Sequence, residues 1–245
     1  MFSKIIYKLI NVVHNGDSAM YDRFYWLKQN LVVLNETSKL LDVGCGNGFA
    51  LELGLKKGFS YVLGLSWSDE DIKKNKKRLS KKINFIKADA RKLDQVEINS
   101  KFDAIINTEN IEHIIDADKL IKDISNLLND GGLLYLTTPN NLHRKLHKDE
   151  LIKFPPVEDG GHVVRGYSYK RLEKIMSKYN LKIIKCNYIT GYFSSCLIAL
   201  GRQFSFIPQI LLSPLSIIST RLDSLFFSDN KLNLSIALVA EKIDE

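Results

Sequence analysis

Apolar residues recur along this chain in two rhythms. In the first forty residues they fall three and four apart. Tyr21–Leu34 (YDRFYWLKQNLVVL) mixes aromatic and aliphatic side chains at that spacing and predicts a helix that packs on the core or covers a ligand. From Lys39 the pattern changes to short apolar runs separated by amphipathic stretches. The runs Lys39–Val43, Tyr61–Leu65, Ile83–Lys87, Phe102–Asn107, Leu133–Thr137, Leu181–Ile189 and Leu234–Ala240 predict strands. Gly46–Lys57, Asp69–Lys82, Ala117–Leu128 and Ser168–Lys178 predict helices. Ser68 is a suitable N-cap for the second of these, with Asp69, Glu70 and Asp71 in its first turn, where negative charge is favoured. Gly58 and Gly131-Gly132 mark breaks.

Strands alternating with helices imply right-handed crossovers and a mostly parallel sheet. In such sheets ligands lie beyond the carboxyl ends of the strands, at the point where strand order reverses. The loops after the first four strands are therefore the place to look. Thr190–Lys231 interrupts the alternation. It carries no charge between Arg202 and Arg221, and Pro208 and Pro214 are expected to break it. A membrane span needs about 20 continuous apolar residues, so the segment reads either as an extra helical layer or as an apolar lid or interfacial patch.

Composition narrows the class. The 245 residues suit one α/β domain, with residues 1–36 as an N-terminal helical cap and 190–231 as an insertion or lid. The net charge of +7 admits nucleic acid, anionic lipid or acidic metabolites as partners. Seven of the 35 basic residues lie within Asp71–Lys82, however, without interleaved aromatics, which reads as the solvated face of one helix. Cys45, Cys186 and Cys196 match no metal or redox spacing, and the N-terminus shows no signal-peptide pattern. These point to a reduced, cytoplasmic protein, with 190–231 offering peripheral contact at the inner membrane surface.

The chemistry begins at Asp42-Val43-Gly44-Cys45-Gly46-Asn47-Gly48, between the first strand and its helix. Alternating glycines let backbone approach a ligand closely. Alone, such a turn could bind a dinucleotide, a phosphate or another ligand. The acidic residue two positions before the first glycine suits a cationic, zwitterionic ligand better than a pyrophosphate. Leu41–Gly48 resembles motif I of the class I S-adenosylmethionine-dependent methyltransferases. Lys87–Ala90, Phe102–Ile106 and Asn129–Asn140, with its glycine pair and TPN ending, resemble later segments of that family in the same order. The resemblance covers about Lys39 to Lys185. It implies a Rossmann-like seven-stranded, mostly parallel sheet with helices on both faces, the last strand antiparallel and the extra helices inserted before it.

The resemblance also implies residue roles. The backbone of Gly44, Cys45 and Gly46 would line the methionine end of S-adenosylmethionine, and Asp42 would anchor the loop and help hold the cofactor's amino group. Asp89 would accept from the adenine amine, with the Ala90 amide beside it. Asn107 and Thr108 would border the methionine moiety. One position departs: the family usually has Asp or Glu at the end of strand two, gripping both ribose hydroxyls, whereas this chain has Ser66. A hydroxyl cannot match that charge-assisted pair. Asp71 could supply a polar contact instead, and Trp67 either packs on adenine or belongs to the core.

Thr108–Ile114 (TENIEHI) resembles the E-x-x-E-H run of ubiquinone-type O-methyltransferases. His113 is the candidate general base, since imidazole titrates near neutrality; the alternative is that it caps the next helix. Glu109, Glu112 and His113 could share one face of a helical turn and, with His162, hold Mg²⁺, as in the similar small-RNA 3′-end enzymes. His162, Arg165 and Tyr167 are expected to face the acceptor or to order their loop. His143 and His147 have zinc-like helical spacing but no third ligand, and read as a solvated helix or lid. The activity expected is O-methylation of a small-molecule, lipid-linked or glycan acceptor, with His113, Glu109 and His162 as catalytic residues. The competing readings are an RNA methyltransferase and a non-catalytic cofactor-binding subunit.

Overall fold

The computed structural model describes residues 18–143, 154, 157–158, 160–203, 209–227 and 230–244. Helix α1 spans Ser18–Asn30. The alternation then follows as β1 (Lys39–Val43), α2 (Phe49–Lys57), β2 (Tyr61–Ser66), α3 (Asp69–Arg78), β3 (Ile83–Lys87), β4 (Phe102–Thr108), α4 (Ala117–Leu127) and β5 (Leu128–Pro139). After it come α5 (Tyr169–Ser177), β6 (Leu181–Ile189), α6 (Tyr192–Gln203), α7 (Gln209–Phe226) and β7 (Ser235–Lys242). The strands form one seven-stranded sheet in the order β3-β2-β1-β4-β5-β7-β6. Strands β1 to β5 pair in parallel, and β7 runs antiparallel to both neighbours.

Both faces are buried, because successive strand residues point to opposite sides. Leu41, Val43 and Leu134 meet Ile121 and Ile124 of α4 and Met176 of α5. On the other face Leu40, Ile106 and Tyr135 meet Trp26 and Leu27 of α1 and Leu51 of α2. Polar side chains tie the sheet where its backbone ends: Asp103 accepts from the Lys39 amide at 2.8 Å and from Asn129 Nδ2 at 2.9 Å.

The structure departs from the sequence pattern in several places, each for an identifiable reason. Helix α1 ends before Leu34 because the Val32 amide donates to the Tyr135 hydroxyl at 3.2 Å instead of continuing the helix. Helix α3 ends at Arg78, where Leu79 turns extended and buries its side chain. The Gly131-Gly132 turn is absorbed into β5 as an irregularity: Phe102 pairs with Leu128, but Ala104 pairs with Leu133. Pro214 does not break the insertion; it sits inside α7, a little over one turn from its start, where a single intrahelical N–H is lost.

Helices α6 and α7 pack on each other and on α1. Ser18 and Ser216 hydroxyls meet at 3.0 Å, Thr220 Oγ1 donates to Asp22, and Asp223 accepts the Phe193 and Ser194 amides at the start of α6, each at 2.9 Å. The described part of 190–231 is thus a helical layer joined to α1, and it leaves Leu215, Ile218, Leu225 and Phe226 exposed. No helix among the described residues is long and apolar enough to cross a membrane. Residues 1–17 of the N-terminal cap, His147, Asp159 and Pro208 lie outside the described residues.

Candidate active site

A cavity of about 200 Å³ opens at the carboxyl ends of β1 to β4. Gly44 lines it after β1, Ser66 and Trp67 after β2, Asp89 and Ala90 after β3, and Asn110 and His113 after β4. Gly44, Ser66, Trp67, Asp89 and Ala90 are among the cofactor contacts expected from the sequence. The loop at Gly44 has φ +83, and a Cβ there would meet Asn110 Cγ at 3.0 Å, so only glycine leaves the cradle open. The Gly44 and Cys45 amides are not free for a ligand: both donate to the Leu65 carbonyl, at 3.1 and 2.8 Å. The Gly46 carbonyl accepts from Asn75 Nδ2 at 2.7 Å. The glycine loop therefore offers close approach rather than those two donors. Cys45 itself is buried, and burial pushes its thiol well above the ordinary range.

Ser66 ends β2 with its hydroxyl accepting the Ser68 amide at 3.2 Å, leaving its proton free to donate to a ligand. Trp67 is 72% exposed, which removes the core-packing alternative and leaves an indole at the cavity mouth. Asp71 is not among the residues that line the cavity; it lies in the first turn of α3, where its amide donates to Ser68 Oγ, and its charge acts on Cys45 of the glycine loop. Asp89 is held by Arg91, whose Nε donates to it at 2.9 Å, and Arg91 also reaches Glu158. That guanidinium holds the Asp89 carboxyl below its usual range. Arg91, Glu158 and Asn110 line the site without having been expected there; Arg91 is two residues from Asp89, but nothing in the local pattern marks Glu158.

Behind the cavity wall lies a group of buried polar atoms without hydrogen-bond partners: Asp42 Oδ1, Asn107 Oδ1, Asn110 Nδ2, Glu112 Oε1 and His113 Nδ1. Asn107 Nδ2 donates to the Val43 carbonyl at 3.1 Å and so ties β4 to β1. Burial pushes Asp42 up to about 7. Such a density of unsatisfied buried groups is unusual and fits a polar, zwitterionic ligand. Thr108 closes β4, half-buried.

The E-x-x-E-H run does not form one helical face. Glu109 takes a left-handed backbone, φ 47, and its amide donates to the Thr137 carbonyl at 2.9 Å, which turns its side chain away. Its carboxylate accepts from Thr137 Oγ1 at 3.0 Å and pairs with Arg23 of α1 at 3.5 Å, a partner the sequence did not suggest. Glu112 is fully buried, accepts from Thr138 Oγ1 at 3.1 Å, and is raised well above the usual carboxylate range by burial, with Glu109 adding to the effect. His113 is not a helix cap, since Asp116 caps α4 by accepting the Lys119 amide at 2.9 Å. Its ring instead meets His162 edge-on, centroids 4.6 Å apart, and Phe154 stacks on His162 at 5.7 Å. Ligand atoms of Glu112, His113 and His162 lie within 4.8 Å of one another.

Two other expectations are decided by burial. Of the two readings of Tyr167 the structure has the second: it is fully buried, with its hydroxyl donating to the Ile111 carbonyl at 3.4 Å, so it orders the His113 turn and is not an acceptor wall. His143 is buried against the Asn140 carbonyl and is not on a solvated face.

Sheet order, cradle and cavity define a class I methyltransferase fold. The comparisons with known proteins agree. The family described as a methyltransferase domain matches residues 21–185, and the chain belongs to it. A ubiquinone biosynthesis O-methyltransferase of Pelagibacter ubique is 35% identical over 109 residues, covering 42% of this chain and 42% of that protein. The mitochondrial human protein of the same name is 33% identical over 108 residues, covering 42% of this chain and 29% of that one. The match thus spans less than half the length of either relative. Among solved structures, phosphoethanolamine N-methyltransferase 2 of Haemonchus contortus, in complex with S-adenosyl-L-methionine, superposes with a TM-score of 0.64 at 19% identity, covering 91% of this chain and 52% of that one. That likeness concerns the fold.

Proposed function

We propose that the chain transfers a methyl group from S-adenosylmethionine to an oxygen of a small-molecule acceptor. The observation that carries this is the cavity itself, which joins the Gly44 cradle, Ser66, Trp67 and Asp89 on one side to His113 on the other. The cofactor would supply an activated sulfonium methyl. Asp42, with its unpartnered oxygen, would face the cofactor's ammonium, Ser66 a ribose hydroxyl, and Asp89 and Ala90 the adenine edge. His113 would take the acceptor's proton as the oxygen attacks, with His162 orienting the imidazole. Glu109, bound to Arg23 and Thr137, would hold the loop in place and so act by positioning.

Two features bear on the acceptor. Arg165, on the segment that carries His162, has Nε and Nη2 buried without partners, which favours an acidic acceptor. The exposed apolar residues of α7 favour a lipid-linked one, approached at a membrane surface from the cytoplasmic side. A radiolabelled methyl-transfer screen on cell extract, separated into lipid, glycan, protein and RNA, tests this. Label in the lipid or small-molecule fraction is expected; label in RNA alone overturns it, and no calorimetric binding of S-adenosylmethionine removes the enzyme reading.

A metal-assisted variant is supported by the convergence of Glu112, His113 and His162. Two imidazoles and one carboxylate suit a transition ion better than Mg²⁺, which prefers oxygen ligands. A bound ion would polarise the acceptor oxygen. Retained activity in chelator, with no calorimetric uptake of Zn²⁺ or Mg²⁺, ends this variant.

A further inference from the structure

A second cavity, of about 180 Å³, lies at the antiparallel edge of the sheet, between α1, the end of β6 and α7. It shares no lining residue with the cavity at the ends of β1 to β4. Asp22 and Trp26 of α1, Tyr188 and Thr190 at the end of β6, Asp223 of α7 and Phe227 beyond it form its walls.

Two buried polar atoms in that wall have no partner. Asp22 is 5% exposed; Thr220 donates to one carboxylate oxygen, while Oδ2 has no partner in hydrogen-bond geometry, although the Thr190 and Ser194 hydroxyls lie near enough to favour the charged carboxylate. Thr190 is 3% exposed, and its Oγ1 is likewise unpartnered. Thr190 also holds φ 59, a left-handed conformation that strains a β-branched residue and tends to persist where function maintains it. Asp223 adds a second negative charge, although its oxygens already accept the Phe193 and Ser194 amides. Tyr25, Trp26, Tyr188 and Phe227 add aromatic surface to walls that are otherwise mostly neutral and polar. Lys185 is the single basic side chain among the lining residues, and it is exposed at the rim.

These features select among ligands. A carboxylate oxygen needs a donor. A water molecule or an alcohol supplies one but leaves the buried Asp22 carboxylate without a counter-charge. Aromatic faces attract a cation as well as an apolar body. We propose that this cavity binds a small primary organic ammonium, with N–H groups donated to Asp22 Oδ2 and Thr190 Oγ1 and its carbon body against Trp26, Tyr188 and Phe227.

Calorimetric titration of the full chain at pH 8 with benzylammonium, and with benzyl alcohol as the uncharged counterpart, tests the proposal. The amine is expected to bind one to one and the alcohol not to bind. Asp22→Asn is expected to weaken amine binding at least tenfold, and Thr190→Gly, which also relieves the backbone strain, several-fold. S-adenosylmethionine titrated into the same variants reports that they are folded and reads the other cavity, so the two conclusions stand or fall separately. No saturable amine binding, equal binding of the alcohol, or binding that neither substitution changes would overturn the proposal.

Discussion

The two cavities of this protein are built in opposite ways. The one at the ends of β1 to β4 is made mainly of short loops that each follow a parallel strand, so most of its walls come with a local signature, Glu158 and Gly160 being the exceptions. The one at the β6 edge joins α1 to α7 across nearly two hundred residues, as in the Asp22–Thr220 hydrogen bond, with no local signature at all. Both contain buried polar atoms without partners. What separates them is how the chain assembles the walls, not the physical sign of a ligand site.

That contrast can be broken or sharpened by substitution. The largest effect is expected from His113→Ala: loss of a general base lowers kcat by about 10² to 10⁴-fold while S-adenosylmethionine affinity stays unchanged, as single-turnover kinetics and calorimetry would show. If His113 only shapes the loop, affinity and kcat fall together. Next is Gly44→Val, which forces side-chain atoms toward Asn110 at φ +83. Cofactor affinity should drop on the order of 100-fold, the equivalent of roughly 3 kcal/mol, with amine binding at the β6 edge untouched.

Asp42 gives a pH signature. Its folded pKa of about 7 lies above the unfolded carboxylate value, so the unliganded fold holds the proton more tightly than the unfolded chain does. Stability of the unliganded protein should therefore fall as pH rises from about 4 to about 7, then level off. Asp22, also raised to about 7 by burial, adds a slope of the same sign. An ammonium beside Asp42 favours the charged form, so cofactor affinity should rise over the same upper range, by at most tenfold per pH unit. Asp42→Asn should flatten the affinity profile. Melting curves and titrations from pH 5 to 8 check both. A smaller gain is expected from Ser66→Asp: restoring a charge-assisted ribose contact should tighten the cofactor by about 1–3 kcal/mol. The smallest is a stabilisation of about 1 kcal/mol by Thr190→Gly, from relieved backbone strain net of glycine's entropy, read as a raised melting temperature.

Much of this architecture was legible in sequence, and the exceptions are instructive. All seven strands follow from apolar runs; the runs are most continuous in the interior strands, where both sheet faces are covered, and are interrupted by polar residues in the edge strands β3 and β6. The Gly44, Ser66 and Asp89 positions follow from motif order. The orientation of Glu109 does not, since it depends on a left-handed turn and on Arg23 from a distant helix. The burial of Tyr167 and His143 depends on how the segment after β5 folds back, which periodicity does not encode. Pro214 reads as a breaker, yet packing on α1 keeps α7 continuous through it.

Helix α1 carries a practical consequence. Its adjacent residues Asp22 and Arg23 serve different cavities, one at the β6 edge and the other through Glu109 beside the His113 loop. Trp26 from the same helix seats on Tyr135 in the sheet. A minimal version of this protein cut at the first strand would keep every recognisable motif and still lose a wall of one chamber and a brace of the other. Its smallest active unit is expected to begin before the glycine loop, with helix α1 included.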